Sequence, residues 1–181
     1  MCLRRTSGVI LAFLCGLATQ LVCALPEDRA QAIHITADQA LRDEKRGLTI
    51  YRGNVQLDQG SLRIFADRIT IFRIVEDGDK IVAVGKPARL QQQLNVGEEL
   101  MRAQAGIIEY YKNEDRVHLK DGAHLEQGGS TVTGETIDYF ISQQLVKASS
   151  DEDRENSRVE VVIPANMLEK KKDTSGNTDS K

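Results

Sequence analysis

The sequence predicts an all-β fold, arranged as a sandwich, a barrel or a roll. Apolar and polar residues alternate along most of the chain, which is the pattern of strands with one buried face. Turn-forming pairs interrupt the alternation every ~8–12 residues, as in folds built from short antiparallel strands. Beyond the N-terminal segment no stretch has a convincing helical period, and the best approximation, residues 37–46, carries charges on all sides.

The N-terminal segment, residues 1–24, has the composition of a secretory signal peptide. Arg4 and Arg5 precede an apolar run, and Val22 and Ala24 supply small residues at the −3 and −1 positions of a cleavage site. The fully apolar stretch is about 10 residues long, whereas a membrane-spanning helix needs about 20. We therefore expect cleavage after Ala24 rather than a retained membrane anchor.

Residues 25–167 are expected to form one domain, followed by a disordered tail at residues 168–181. All three cysteines lie within residues 1–24, so the domain would contain no disulfide. Without Arg4 and Arg5 the chain carries 22 basic and 27 acidic side chains. Nucleic acid is thus a poor candidate partner, because binding phosphates requires a basic face. The tail is polar and has no apolar residue after Leu168.

The alternating apolar residues predict the strands in order along the chain. We call the side of the sheet that they would share the inner face. Its predicted members are Ile33 and Ile35; Leu48, Ile50, Val55 and Leu57; Leu62, Ile64, Ile69 and Ile71; Ala88 and Leu90; Ile108 and Tyr110; Val117 and Leu119; Ala123, Leu125, Val132, Ile137 and Tyr139; Val159, Val161 and Ile163. The predicted turns are Gly53-Asn54, Gln59-Gly60, Asp77-Gly78, Asp121-Gly122 and Gly128-Gly129.

Residues 53–72 and 121–140 form an internal repeat with an offset of 68 residues. The pairs Leu57/Leu125, Gln59/Gln127, Gly60/Gly128, Ile69/Ile137 and Phe72/Phe140 are identical. Each copy is predicted to contain a hairpin, a polar corner at Asp67 or Glu135, and a further strand. This offset is too long for one rung of a solenoid and suits half of a domain. Two similar halves would stack into one roll with a continuous aliphatic inner face.

Candidate catalytic and metal-binding residues are few. The only histidines are His34, His118 and His124, and no cysteine or other suitable ligand lies near them in the sequence, so no metal site is predicted. No Ser-His-Asp arrangement and no glycine-rich phosphate loop is recognisable. Asp67 and Glu135 occupy equivalent repeat positions, but we interpret them as corner residues rather than a catalytic pair. The protein is therefore not expected to be an enzyme, and no cofactor is predicted.

Five motifs, taken in order, resemble the LptA group of the OstA-like family. They are IHITADQA, YRGNVQLDQGSLRIFADRITIF, VGKPARLQQ, GETIDYF and RVEVVIPAN, and the resemblance covers about Ile33 to Met167. The LptA group comprises periplasmic lipopolysaccharide-transport proteins, and the wider family includes LptC and the periplasmic domain of LptD. The cleavable signal is unlike the anchor of LptC, and no outer-membrane barrel of the LptD kind is recognisable. Both differences favour the LptA group.

The resemblance implies a single open, twisted β-jellyroll in the periplasm. It also implies a bridge function, in which an apolar groove shields the acyl chains of lipopolysaccharide between the inner and outer membranes. The predicted lipid-binding residues lie on the inner face: Ile33, Ile35, Ile50, Val55, Leu57, Ile64, Ile69, Leu90, Ile108, Tyr110, Leu119, Leu125 and Ile137. Among these we single out Ile33, Ile35, Leu90, Ile108 and Tyr110, since we expect their strands to lie near the open edges of the roll.

Other interpretations remain open at this point. The inner-face residues could pack against one another in a dry core and never contact lipid. The domain could be a structural or sugar-binding module, although the chain has no tryptophan, four tyrosines and four phenylalanines, and sugar sites usually present exposed rings. A polysaccharide-processing enzyme on a β-roll would need a concentrated cluster of carboxylates, tyrosines or arginines, which the sequence does not show.

An open roll leaves its first and last strands as unpaired edges. The predicted edge strands are residues 32–36 and 158–163. Strand addition between the last edge of one molecule and the first edge of the next predicts a head-to-tail homo-oligomer. The family resemblance implies an LptC-like inner-membrane partner at the N-terminal edge. It implies an LptD-like outer-membrane partner at the C-terminal edge.

Overall fold

The computed structural model describes residues 30–74, 78–94, 99–151 and 157–165. They contain ten strands: β1 (His34–Thr36), β2 (Gln39–Asp43), β3 (Leu48–Gln59), β4 (Leu62–Ile74), β5 (Gly78–Gln92), β6 (Met101–Tyr111), β7 (Arg116–Gln127), β8 (Ser130–Phe140), β9 (Leu145–Ser149) and β10 (Glu160–Val162). Within these ranges no helix is long and apolar enough to cross a membrane. The predicted signal peptide and the predicted C-terminal tail lie outside the described residues.

All ten strands belong to one antiparallel sheet in the order β1-β3-β4-β5-β6-β7-β8-β10. Strand β2 also pairs with β3, and β9 also pairs with β8. Each of the inner strands β4 to β7 therefore has its chain neighbours on both sides. In the described residues no pairing joins β1 or β2 to β9 or β10, so the sheet is not closed into a barrel. The predicted all-β, open-roll fold is confirmed.

The internal repeat is visible in the strand boundaries. Strand β3 spans Leu48–Gln59 and β7 spans Arg116–Gln127, so both ends are separated by the same 68 residues as the sequence repeat. Strands β4 and β8 begin at Leu62 and Ser130, with the same offset. Gly60, Gly128 and Gly129 adopt positive φ in the two hairpin turns, a conformation that side chains disfavour. These hairpins were predicted correctly.

Two other predicted turns are bulges inside continuous strands. Gly53-Asn54 in β3 and Asp121-Gly122 in β7 have positive φ, and the pairing register shifts at both places. The predicted corners at Asp67 and Glu135 likewise lie at register irregularities within β4 and β8 rather than between strands. The strands β3 to β8 are consequently 11–15 residues long, which is longer than the short strands expected from the turn spacing.

The irregularities form a line across the sheet. They lie between Arg52 and Val55 in β3, between Val84 and Ala88 in β5 and between Gln104 and Ile107 in β6. Bulges bend strands and increase their twist, so the line divides the sheet into two halves. The first half has β1 and β10 at its edges, and the second half has β2 and β9.

The two halves face each other across one hydrophobic core. Residues from both halves, including Ile64 of the first and Ile137 of the second, have no exposed surface and belong to the same cluster. A single sheet layer cannot remove its own face from water, so each half must cover the other. The buried polar residue Gln59 donates a hydrogen bond of 2.9 Å from Nε2 to the carbonyl of Gln31, which attaches the segment before β1 to this core.

Candidate lipid-binding face

The inner face of the first half carries an unbroken apolar row that crosses the sheet from edge to edge. Consecutive cross-strand partners form it, one from each strand: Ile35, Leu57, Ile64, Leu90, Ala103, Leu125, Val132 and Val161. Directly opposite side chains of an antiparallel sheet lie about 4.5–5.5 Å apart, so such partners touch. The row begins on one edge strand and ends on the other.

The second half carries an equivalent row on the same face. Its members are Ala40, Tyr51, Ile69, Ala83, Ile108, Leu119, Ile137 and Ala148, again one from each strand in order. Only Tyr51 interrupts its aliphatic character. Because both rows face the same interior, the roll contains an apolar band that extends along the whole sheet, from the N-terminal edge strands to the C-terminal ones.

Most of the predicted lipid-binding residues lie in this interior. Ten of the thirteen are at most 3% exposed: Val55, Leu57, Ile64, Ile69, Leu90, Ile108, Tyr110, Leu119, Leu125 and Ile137. Ile35 is half-buried and packs against the core, whereas Ile33 is 37% exposed just before β1. The pattern of alternation therefore located the inner face correctly. Their contact with lipid stays a prediction.

Ile50 is an exception, because it lies on the outer face. It pairs with Leu41 and Thr70, while its neighbour Tyr51 packs against the core. The sequence prediction assumed that a turn at Gly53-Asn54 reversed the alternation. The bulge takes up Gly53 and Asn54 within β3. Tyr51 and Val55 are therefore separated by an even number of positions and both face the interior, which leaves Ile50 on the outer face.

The expected location of Leu90, Ile108 and Tyr110 near the open edges is wrong. They belong to β5 and β6, which are central in the strand order. The edge strands of the first half are β1 and β10, and those of the second are β2 and β9. The strand order largely follows the chain, so the middle strands are central and the edges are formed near the chain ends, where the sequence pattern predicts them at residues 32–36 and 158–163.

Several buried residues of the inner face were missed. Met101, Ala103 and Ala105 of β6 are at most 4% exposed, and Ile81 and Ala83 of β5 are equally buried. The alternation MRAQA, in which Arg102 and Gln104 point outward, was a detectable signal. Alanine is only weakly apolar, so the alternation in this strand was not recognised in the sequence.

The outer face of the second half carries a cluster of paired charged side chains around Glu109. Lys80 and Lys120 lie 3.1 and 3.3 Å from the carboxylate of Glu109, and the Tyr111 hydroxyl donates to it at 2.9 Å. Burial by itself raises the pKa of Glu109, but the hydrogen bonds from Tyr111 and Lys80, with the charges of Lys80 and Lys120, outweigh it and lower the pKa. This charged cluster lies on the face of the sheet opposite the apolar rows.

His118 and His124 each contact a polar side chain of the neighbouring strand β8. His118 Nδ1 lies 2.8 Å from Asp138, and His124 Nδ1 lies 3.0 Å from the hydroxyl of Thr133. Within the part of the chain that the structure describes, no group of three or more His, Cys, Asp or Glu side chains has metal-binding geometry. The carboxyl residues Asp67 and Glu135 lie on β4 and β8, which three strands separate in the sheet.

The edge strands differ from the interior in exposure. Every residue of β10 is exposed, and Val161, Val162 and Ile163 are each 52–54% exposed. Strand β1 is largely exposed apart from Ile35, and β2 is exposed over four of its five residues. A short apolar strand with an open backbone edge is a template for pairing with another chain.

Comparison with known proteins identifies the family of this fold. A family model described as "LptA/(LptD N-terminal domain) LPS transport protein" matches residues 34–145, which is more than half of the chain. The chain belongs to this LptA family. The matched region extends from β1 to the first residue of β9 and so includes most of the inner face.

Individual relatives of the LptA family agree with this assignment. The lipopolysaccharide export system protein LptH of Pseudomonas aeruginosa is 34% identical over 146 residues, covering 80% of this chain and 83% of the relative. LptA of Escherichia coli is 31% identical over 150 residues, covering 82% and 79%. LptA of Haemophilus influenzae is 30% identical over 159 residues, covering 86% and 90%.

A solved structure has the same fold. The crystal structure of Pseudomonas aeruginosa LptH, described as the LptA-homologous periplasmic component of a lipopolysaccharide transport device, superposes with a TM-score of 0.71. Its sequence is 33% identical, and the match covers 77% of this chain and 99% of that one.

Proposed function

We propose that this protein is a periplasmic bridge component that carries lipopolysaccharide from the inner to the outer membrane. The observation that carries the proposal is the apolar row from Ile35 to Val161, which crosses the whole sheet without a polar interruption. The LptA and LptH relatives, named as lipopolysaccharide export proteins, supply the substrate class. Named as transport components, they give no support for an enzymatic role.

Free energies of transfer explain why transport requires such a band. An acyl chain of about a dozen carbons exposed to water costs on the order of 9 kcal/mol, at ~0.8 kcal/mol per methylene. A lipid crossing an aqueous compartment therefore needs apolar contact along its entire path. The two rows of the inner face offer that contact in both halves of the roll, while the sugar and phosphate groups stay in water.

Acyl chains would enter by separating the two halves at the edges. In the centre, side chains such as Ile64 and Ile137 already pack against other protein atoms. At the edges Ile35 is half-buried and Val161 is 54% exposed, so less protein contact has to be replaced there. Contacts with acyl chains would replace apolar contacts between protein side chains of similar energy. The free-energy cost of separating the two halves would therefore be low.

Photo-crosslinking in cells tests the lipid contact. A photoreactive amino acid at Ile35 or Leu90 should form adducts with lipopolysaccharide, whereas one at Arg63 should not. Arg63 is the matched control, because it adjoins Ile64 in β4 but points outward and pairs with Asp58 at 3.2 Å. Equal labelling at all three positions would contradict the proposal. Native mass spectrometry of the periplasmic protein should also detect bound lipopolysaccharide.

The exposed edge strands offer the surfaces through which molecules would assemble. Pairing of β10 in one molecule with β1 in the next would place Val161 beside Ile35, so the apolar row would continue between molecules. Strand β9 would meet β2 in the same way and continue the row of the second half from Ala148 to Ala40. We propose that this strand addition forms head-to-tail oligomers, with an LptC-like partner at the N-terminal edge and an LptD-like partner at the C-terminal edge.

Sedimentation over a dilution series tests the assembly with wild type and Val161→Pro. Proline removes a backbone donor and disturbs the edge, so oligomers should weaken, while circular dichroism should report a folded monomer because β10 contributes no buried side chain. A wild type that stays monomeric at high concentration and binds neither partner domain would remove the edge-pairing proposal without affecting the lipid proposal.

A further inference from the structure

The outer face of the first half contains a cleft of about 350 Å³ that the proposed transport function does not use. Four consecutive cross-strand partners cross its floor: Phe65 of β4, Arg89 of β5, Gln104 of β6 and His124 of β7. The neighbouring row adds Arg102 and Glu126. We call this site the outer cleft. It lies on the opposite side of the sheet from the apolar rows.

The outer cleft combines an exposed aromatic ring with cationic groups. Phe65 is 38% exposed, although its cross-strand partners Gln56 and Arg89 are polar. Arg89 is exposed and forms no ion pair or hydrogen bond within the described part of the chain. Arg102 lies 3.7 Å from Glu126, near the outer limit for an ion pair, so its guanidinium keeps free donors. His124 is oriented by its contact of 3.0 Å with Thr133.

These groups match the chemistry of an anionic sugar. A flat exposed ring offers an apolar face to the C–H groups of a sugar ring. The side-chain amide of Gln104 can both donate to and accept from hydroxyl groups. Guanidinium groups bind phosphate or carboxylate with two parallel hydrogen bonds. The volume lies at the lower end of the ~300–1,000 Å³ that is usual for small-ligand sites.

We propose that the outer cleft binds an anionic saccharide, with its ring against Phe65 and its phosphate or carboxylate on Arg89 and Arg102. The chain's net charge of −3 makes an unspecific attraction of anions a poor alternative. Two sources offer this chemistry: the saccharide part of lipopolysaccharide and a free phosphorylated or acidic sugar. The site is distinct from the lipid groove, because the polar and charged groups that would bind the saccharide lie on the outer face, although Leu90 and Ala103 of the apolar row also border the cleft.

Titration of the protein followed by amide NMR shifts tests the proposal. The probes are glucose 6-phosphate, glucose, inorganic phosphate and the deacylated saccharide of lipopolysaccharide. Glucose 6-phosphate should shift the amides of Arg89, Gln104 and His124 in a saturable way and bind more tightly than glucose or phosphate. Tighter binding of the deacylated saccharide identifies lipopolysaccharide as the source, whereas equal binding identifies a free sugar, and either result supports the site.

Three variants separate the contributions. Arg89→Gln should weaken glucose 6-phosphate binding about tenfold through loss of a charge-assisted contact. Phe65→Ser should weaken the sugar phosphate but not inorganic phosphate. Arg68→Gln is the control, since Arg68 is exposed on the same side of β4 beyond the line of bulges and does not line the cleft. Unsaturable shifts, an equal effect of Arg68→Gln, or phosphate binding as tight as that of the sugar phosphate would overturn the proposal.

Discussion

Adjacent isoleucines on β6 offer a direct test of which face forms the core. Ile108 is 1% exposed and lies in the apolar row of the second half. Ile107 precedes it, pairs with Val84 and Lys120, and is half-buried on the outer face. Both residues are neighbours in the same central strand. Truncating each to alanine removes the same three carbon atoms and differs only in the face affected.

The expected losses follow from burial. Removing three buried carbons costs about 2.4 kcal/mol in transfer free energy, at ~0.8 kcal/mol each. The cavity left in a packed interior adds to this, so Ile108→Ala should lower the free energy of unfolding by about 3–4 kcal/mol. Ile107→Ala loses a fraction of the transfer term and leaves no closed cavity, so we expect about 1 kcal/mol. The predicted difference between the two losses is thus about 2–3 kcal/mol.

Urea denaturation followed by far-UV circular dichroism is the appropriate measurement, because the chain has no tryptophan. In both variants the slope of the unfolding free energy against urea concentration should equal that of wild type. An equal slope shows that the surface exposed on unfolding is unchanged. The reasoning is refuted if the two variants lose equal stability. That result would mean that the two halves do not cover each other at Ile108, and that the inner face is open to water rather than packed.

Two further predictions concern backbone and charge. Gly53→Ala should destabilise the protein more than Gly122→Ala: both glycines have positive φ, at 78° and 71°, but a Cβ on Gly53 would overlap Asp38, whereas one on Gly122 meets no atom within 4 Å. Equal losses in thermal denaturation would contradict the overlap argument, since the conformational cost of about 1–2 kcal/mol is common to both. Glu109→Gln should lower stability at neutral pH, and its difference from wild type should shrink as the pH falls below about 4.5. The reason is that folding lowers the pKa of Glu109 from its unfolded value of 4.5. The resulting stabilisation is fully present above pH 4.5 and is lost as the pH falls through the pKa of the folded state. A pH-independent difference in urea midpoints would refute the ion-pair role of Glu109.

The sequence pattern correctly predicted those structural features that depend only on residues close together in the chain. Alternation placed residues such as Leu57, Ile64 and Leu125 on one face, because side chains of a strand point to opposite sides in turn. The repeat predicted two equivalent hairpins, and Gly60 and Gly128 occupy their turns. The order of motifs pointed to the LptA family. None of this required knowledge of which strands are neighbours.

Predictions from the sequence pattern failed for features that depend on the adjacent strand of the sheet. Gly53-Asn54 has the residues of a turn, but whether such a pair ends a strand or forms a bulge depends on the partner strand continuing alongside it, as β4 does. The face of Ile50 follows from that distinction. Strands β2 and β9 were not predicted, since each has only five residues and is defined by its pairing with β3 or β8.

The sequence by itself determined the all-β class, the inner-face positions of most strands and the apolar character of the interior. These are consequences of side-chain chemistry at a period of two, which is local. Only the tertiary structure decided that β5 and β6 are central, that β2 and β9 form edges as well as β1 and β10, and that Phe65, Arg89 and His124 share one cleft. These features depend on register between residues far apart in the chain. Register is set by the packing of the whole sheet and not by any single strand.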